Sequence, residues 1–154
     1  MGTAGALKNL KKLDTNDFIL LNGDTFFDID IKKLVLKTGK KSIGSIALTR
    51  NSYQQSQKLN NLGLKKNLVY LKDNSSVMNG GVYYFKKKIF KYLKNEKSLE
   101  DDLLVNLIKN KLINGHKFNN FFIDIGSPKF LKLAGKKINN YCNKPAIFLD
   151  RDGV

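Results

Sequence analysis

The sequence has few of the residues that build disulfides, histidine metal clusters or membrane spans. Cys142 is its one cysteine and His116 its one histidine, which excludes an internal disulfide and a multi-histidine metal site. We expect Cys142 to be inert and His116 to lie on the surface. No apolar run approaches the ~18 residues of a membrane span, and the N-terminus lacks the pattern of a secretory signal. These features predict a cytoplasmic protein with no membrane segment.

Acidic residues are also scarce beside the basic ones. The 154 residues include 28 Lys and Arg but 13 Asp and Glu, which gives a net charge of +15. Only Arg50 and Arg151 are arginine, and the lysines are scattered along the chain. Nucleic-acid-binding proteins usually concentrate their charge and use arginine for base contacts, so we expect no nucleic-acid partner. A basic nucleic-acid-binding module is the least favoured alternative, and the positive field suits a phosphorylated substrate.

Short apolar strands alternate with helices along the chain, a pattern typical of an α/β domain. The predicted strands are 17–21, 43–49, 67–72, 77–85, 112–118, 121–125 and 146–149. The predicted helices are 3–12, 31–37, 86–93, one that starts at Ser98, and 127–141. Residues 51–67 are polar and predict a loop or a weak hairpin.

Two carboxylates follow apolar strands in matching sequence contexts. Residues 18–21 predict a strand buried on both faces of a parallel sheet, and this strand stops at Asn22-Gly23-Asp24. Residues 123–126 repeat the pattern around Asp124. Ligands bind at the carboxyl ends of strands in open α/β sheets, so both aspartates are candidate metal ligands. On spacing alone, an ordinary turn is the favoured alternative for each.

Three further segments have the residue types of a binding site. The paired glycines after Asn79, in the strand 77–85, indicate a bulge or the close approach of a ligand. Ser98-Leu99-Glu100-Asp101 resembles a capping box with an acidic first turn. The first helix opens at Gly2-Thr3-Ala4-Gly5, where free N–H groups could hold a phosphate or a base carbonyl.

These segments occur in the order found in the sugar-1-phosphate nucleotidyltransferases. Over about residues 1–135 the chain resembles the mannose-1-phosphate and heptose-1-phosphate guanylyltransferase type. The resemblance implies a nucleotide-diphospho-sugar transferase fold, with a Rossmann-like mixed sheet and flanking helices. It implies an enzyme that transfers a nucleoside monophosphate from a nucleoside triphosphate to a sugar 1-phosphate, with Mg²⁺ as cofactor.

The resemblance also assigns roles to individual residues. The implied catalytic residues and metal ligands are Asp24 and Asp124. The implied nucleotide-binding residues are Gly2, Thr3, Ala4 and Gly23, and the implied sugar-binding residues are Asn79, Gly80 and Glu100. The family's first strand and cationic glycine-rich loop have no counterpart in this sequence, so we expect activity of this chain alone to be weak or absent. The alternative is a non-catalytic remnant that binds a sugar or a nucleotide.

The last residues resemble a second family. The strand 146–149, followed by Asp150-Arg151-Asp152, is similar to the first motif of the haloacid-dehalogenase phosphatases of the heptose-bisphosphate and histidinol-phosphate type. This resemblance implies a nucleophile at Asp150 and an acid/base at Asp152. We therefore expect a partial nucleotidyltransferase domain at 1–140 and the start of a truncated phosphatase domain at 141–154, both from a bifunctional parent.

Overall fold

The computed structural model describes residues 3–12, 14–50, 62–73 and 75–143. Gly2, the predicted strand 146–149 and the phosphatase-type Asp150 and Asp152 lie outside the described residues. The last described helix runs across the domain boundary predicted near residue 140. Among the described residues, no helix is both long enough and apolar enough to span a bilayer.

Helices and strands are interspersed along the chain, but several described strands follow one another directly, and the strand at Thr25–Phe27 was not predicted. The strands are β1 (Asp17–Leu21), β2 (Thr25–Phe27), β3 (Gly44–Arg50), β4 (Leu62–Lys65), β5 (Leu68–Leu71), β6 (Val77–Lys86), β7 (Ile113–Lys117) and β8 (Phe122–Asp124). The α-helices are α1 (Thr3–Asn9), α2 (Ile31–Leu36), α3 (Val105–Lys109) and α4 (Pro128–Cys142). Shorter 3₁₀ segments cover Leu10–Lys12 and Lys87–Tyr92, and a π-helix covers Leu99–Leu104.

Six of these strands form one mixed sheet in the order β1-β6-β3-β7-β5-β4. Among the described strands, β3 and β7 are the one parallel pair, and the other neighbours in this sheet are antiparallel. Strands β2 and β8 form a separate antiparallel ribbon. A mixed sheet with flanking helices is the predicted fold class, which is therefore confirmed.

The prediction that residues 18–21 form a doubly buried strand of a parallel sheet is wrong. β1 runs antiparallel to β6 at the edge of the sheet, and its three central residues are only half-buried. Leu21 at its end is 59% exposed. The apolar run fits either location because hydrophobicity alone does not encode the direction of the neighbouring strand.

β6 is the strand that is buried on both faces. Tyr83 and Phe85 belong to the larger core, which also includes Leu7 of α1 and the leucines around α3. Val82 and Tyr84 point to the opposite face, where they join Leu34 of α2 in a smaller core. The alternation of side chains along a strand therefore places the rings of adjacent residues in two different layers.

The polar stretch 51–67, predicted to be a loop or a weak hairpin, contributes β4 to a hairpin with β5, through a turn at Lys66 and Asn67, both with positive φ. Residues 51–61 of this stretch lie outside the described residues. Another local prediction needs correction. His116 on β7 is buried, not on the surface, and its Nε2 has no hydrogen-bond partner among the described residues. Burial lowers the pKa of this imidazole, and the nearby charge of Lys37 lowers it further.

Candidate functional site

The β2–β8 ribbon brings the two predicted aspartates together. Asp24 immediately precedes β2, and Asp124 is the last residue of β8, opposite Thr25. The N–H of Ile125 donates to the carbonyl of Asp24 at 2.8 Å, which extends the ribbon by one more bond. The two carboxylates are therefore neighbours across an antiparallel ladder, not residues at the ends of two parallel strands as the sequence suggested.

Gly126 lies between the two carboxylates. A Cβ placed on Gly126 would lie 3.1 Å from Oδ1 of Asp124 and 3.1 Å from Oδ2 of Asp24. The N–H of Gly126 donates to Oδ1 of Asp124 at 2.7 Å, which fixes the direction of that carboxylate. The absence of a side chain at this position leaves a small open space that both carboxylates border.

The donor set at this point suits a hard divalent cation. Neither carboxylate forms an ion pair with any residue that the structure describes. No group of three or more potential protein ligands occurs in the described ranges, but Mg²⁺ needs only one or two carboxylates when phosphates and waters complete its shell. A cation between the aspartates would also relieve the repulsion of two like charges that border the same space.

A bulge in β6 forms the next wall of the site. The register between β3 and β6 shifts between Ile46 and Leu48, and Gly81 adopts a φ of +71°. A Cβ on Gly80 would collide with the ring of Phe27. The bulge predicted from the paired glycines is confirmed, and it needs both glycines, one for its conformation and one for space.

Glu100 reaches the site from a π-helix. This helix starts at Ser98, whose hydroxyl accepts from the N–H of Asp101 at 3.0 Å. The N–H of Leu103 donates to the carbonyl of Ser98, the wide repeat of a π-helix. Such segments are rare and often occur at functional sites. The sequence predicted an ordinary helix start here, because nothing in the local pattern distinguishes a π-turn from an α-turn.

Three side chains donate to one oxygen of Glu100. The amides of Asn22 and Asn79 each lie 3.4 Å from Oε1, and the hydroxyl of Tyr83 donates to it at 3.2 Å. The Asn79 amide also donates to the hydroxyl of Tyr83 at 2.6 Å. Burial is the main cause that raises the pKa of Tyr83, and the charge of Glu100 raises it further, so this phenol remains a donor at neutral pH.

Asn22, Asn79 and Glu100 line one polar pocket of about 270 Å³, together with the two aspartates. Its described walls are Asn22, Asp24, Thr25, Met78, Asn79, Gly81, Glu100, Phe122, Asp124, Gly126, Ser127 and Phe130. A second, more apolar pocket of about 700 Å³ lies between α1 and β1 and shares Asn22, Asp24 and Glu100 with the first. The structure thus brings together residues that the sequence had assigned separately to metal and to sugar.

Of the predicted nucleotide-binding residues that the structure describes, two line a pocket and one is buried. Thr3 and Gly23 line the larger pocket, and Gly23 has open space around it. The hydroxyl of Thr3 accepts from the N–H of Leu99 at 2.8 Å, and the N–H of the fully buried Ala4 donates to Lys97. In the structure, the start of α1 therefore anchors the π-helix that carries Glu100.

Sequence reasoning missed several residues of this site, among them Asn22, Gly81 and Tyr83. Asn22 and Gly81 line the polar pocket, whereas the predicted Gly80 packs against Phe27. Tyr83 lies in a run of strand-forming residues, and nothing in the sequence indicates that its hydroxyl group contacts the site. The position of Asn22, two residues before Asp24, is the one signal that could have suggested a role for it.

Comparison with known proteins gives consistent matches. No protein-family model matches the chain. The D-glycero-α-D-manno-heptose 1-phosphate guanylyltransferase of Campylobacter jejuni is 31% identical over 136 residues, which cover 84% of this chain and 59% of that protein. The protein of the same name from Aneurinibacillus thermoaerophilus is 30% identical over 159 residues, which cover 92% of this chain and 64% of that protein.

A solved structure supports the same relationship. The crystal structure of HddC from Yersinia pseudotuberculosis matches with a TM-score of 0.66 and 26% identity, over 89% of this chain and 62% of that one. HddC has also been crystallised with GMP-PN. The chain thus spans about three fifths of the length of these proteins.

The fold and the pocket define a domain of the nucleotide-diphospho-sugar transferase fold. Within this fold, one pocket is lined by the two aspartates of the ribbon, by the bulged strand of the main sheet and by Glu100. Over about three fifths of their length, the chain is similar to sugar-1-phosphate nucleotidyltransferases.

Proposed function

We propose that this chain provides the site for transfer of a nucleoside monophosphate from a nucleoside triphosphate to a sugar 1-phosphate. The observation that carries the proposal is the convergence of Asp24 and Asp124 on Gly126, in the same pocket as Asn79 and Glu100. One end of this pocket suits a cation with its phosphates, and the other end suits hydroxyl groups. A nucleotide-sugar forms where these two kinds of ligand meet.

In the proposed reaction, an oxygen of the sugar 1-phosphate attacks the α-phosphorus of the nucleoside triphosphate. The bond from the α-phosphorus to the oxygen that bridges to the β-phosphorus breaks, and pyrophosphate leaves with that oxygen. The attacking oxygen is already an anion, so the site needs no general base. Catalysis then depends on the positioning of the two substrates and on neutralisation of phosphate charge.

Asp24 and Asp124 are the residues that would hold Mg²⁺, which when bound supplies positive charge to the phosphate oxygens. The ribbon fixes the backbone of both aspartates, and Gly126 keeps the space between their carboxylates free. Asn79 and Glu100 would hold the sugar, because an amide and a carboxylate together both donate to and accept from hydroxyl groups.

Relatives suggest the particular substrates. Both guanylyltransferases are named for a heptose 1-phosphate, and HddC has been crystallised with a guanine nucleotide analogue. We therefore propose GTP and a heptose 1-phosphate as the first substrates to test.

A second candidate function is binding of these ligands without turnover. Among the described residues that line the two pockets, none is a lysine or an arginine. Phosphoryl-type transfer needs cations against the developing charge, and a lost donor of this kind typically lowers the rate by roughly 10²–10³-fold. This observation favours a chain that binds nucleotide and sugar but releases little pyrophosphate by itself.

Titration calorimetry with GTP and Mg²⁺ tests the site, and a pyrophosphate-release assay separates the two candidates. We expect saturable, Mg²⁺-dependent GTP binding that weakens on the order of a hundredfold in Asp24→Asn and in Asp124→Asn. Asp14→Asn is the matched control, because this exposed carboxylate precedes β1 whereas Asp24 follows it. Equal affinity in all four proteins would reject the assignment of the two aspartates.

A further inference from the structure

We infer that Tyr83 is a positioning residue that holds Glu100 in place for a sugar hydroxyl. This inference rests on the proposed function, since it concerns the sugar end of the same pocket. It starts from an asymmetry in Glu100. All three donors described above reach Oε1, and Oε2 receives no hydrogen bond from any described residue. One oxygen is held by the protein, and the other remains free to accept from a ligand.

Tyr83 suits this role because its ring is packed inside the core. The side chain is fully buried, and its ring stacks on Phe85 with 5.7 Å between centroids and 9° between planes. Its hydroxyl accepts from Asn79 at 2.6 Å and donates to Glu100 at 3.2 Å. A ring buried in the core thus extends its one polar atom to Glu100, which lines the pocket.

The bulge in β6 fixes the remaining members of this network. The N–H of Gly81 donates to Oδ1 of Asn79 at 3.1 Å, so the Asn79 amide must direct its NH₂ group toward Tyr83 and Glu100. The carbonyl of Gly81 accepts from the N–H of Asn22 at 2.8 Å. One glycine in a left-handed conformation therefore orients an asparagine on each side of Glu100.

Glu100 is the acceptor for the proton of the Tyr83 hydroxyl. The Asn79 amide donates to this hydroxyl and so satisfies only its acceptor side, whereas the hydroxyl's own proton goes to a half-buried carboxylate on a different element. That carboxylate sits on a π-helix, whose geometry is rarely kept without a functional reason. The network joins β6 to the π-helix directly beneath the polar pocket.

Tyr83→Phe tests the inference, with Tyr84→Phe as its matched control. The two residues are adjacent on β6, and each variant removes one hydroxyl group. The hydroxyl of Tyr84 bonds to Asp17 on the opposite face of the sheet from Glu100. The probe is D-glycero-α-D-manno-heptose 1-phosphate, titrated by calorimetry into the full chain. We expect about tenfold weaker binding in Tyr83→Phe and an unchanged affinity in Tyr84→Phe. Both variants lose a hydrogen bond to a carboxylate, but only Glu100 lines the pocket, and Asp17 does not.

Two further measurements separate positioning from a structural effect. GTP and Mg²⁺ should bind Tyr83→Phe as tightly as the unchanged chain, since the aspartates lie on a different element. The double variant Tyr83→Phe/Glu100→Gln should bind the sugar phosphate no more weakly than Glu100→Gln alone, because Tyr83 acts through Glu100. Additive losses, or equal sugar-phosphate affinity in Tyr83→Phe and the unchanged chain, would overturn the inference.

A measurement without ligand covers the case in which the proposed function fails. If the unchanged chain binds neither probe, urea unfolding of the single and double variants still reports whether Tyr83 and Glu100 are coupled. Coupling beyond experimental error supports the positioning contact, and strict additivity rejects it. Loss of nucleotide binding with intact coupling would thus reject the proposed function but not the contact on which the inference rests.

Discussion

The two ends of the polar pocket present their carboxylates in opposite ways. At one end, backbone bonds of a short ribbon hold Asp24 and Asp124, and neither forms an ion pair with a described residue. At the other end, three side-chain donors hold one oxygen of Glu100. We call these the aspartate end and the glutamate end.

This difference shows how an acidic site can be matched to its ligand. The aspartate end leaves its negative charge uncompensated, which suits a ligand that brings positive charge. The glutamate end has its charge partly satisfied by neutral donors, which suits a neutral ligand that must be oriented. The chain has a net charge of +15, so the absence of ion pairs at the described aspartates does not follow from a shortage of lysine.

Gly126→Ala should weaken the aspartate end and leave the glutamate end unchanged. The added methyl group would lie 3.1 Å from an oxygen of each aspartate, closer than ordinary packing allows. We expect Mg²⁺-dependent GTP affinity to fall about tenfold, equivalent to about 1.4 kcal/mol, and sugar-phosphate affinity to stay the same. Calorimetry with both probes measures this split. Gly135→Ala is the control, since no atom lies within 4 Å of its added methyl; equal GTP affinity in both variants would contradict the prediction.

Removal of the serine cap at the start of each of two helices should lower the free energy of unfolding by different amounts. Ser98 accepts from Asp101 at 3.0 Å at the start of the π-helix, whereas Ser127 accepts from Phe130 at 3.4 Å at the start of α4. We expect Ser98→Ala to cost about 1 kcal/mol and Ser127→Ala to cost less, because the longer bond is weaker. Urea unfolding measures both values. A larger cost for Ser127→Ala would show that the glutamate end depends less on its cap than the geometry indicates.

His116 lies at neither end and gives the smallest expected effect. Its pKa is lowered in the folded chain, first by burial and then by the charge of Lys37, so the unfolded chain binds the proton more readily. The stability from the neutral imidazole is complete above the ordinary pKa of 6.5 and is lost as the pH falls toward the lowered value. We expect His116→Gln to flatten this slope in unfolding experiments as the pH falls below 6.5. An unchanged slope in the variant would show that other groups cause the loss.

Much of the fold was predictable because its elements have strong local patterns. The strands around Ile46 and Tyr83 and the helix from Pro128 follow from apolar periodicity, from β-forming residues and from a serine cap before proline. The arrangement of β1 was not predictable, since an apolar run of four residues suits an edge strand as well as a central one. The burial of His116 likewise depends on what packs over β7, not on its sequence neighbours.

For the candidate site too, some features were predictable from the sequence and others were not. The sequence by itself determined which residues have suitable chemistry, namely the aspartates after two strands, the glycine pair and the acidic turn at Glu100. Only the tertiary structure decided that the aspartates meet across a ribbon, that Gly81 and not Gly80 lines the pocket, and that Tyr83 reaches Glu100. The physical reason is that a side chain's chemistry belongs to one residue, whereas a hydrogen bond between elements depends on register, bulge and packing at once.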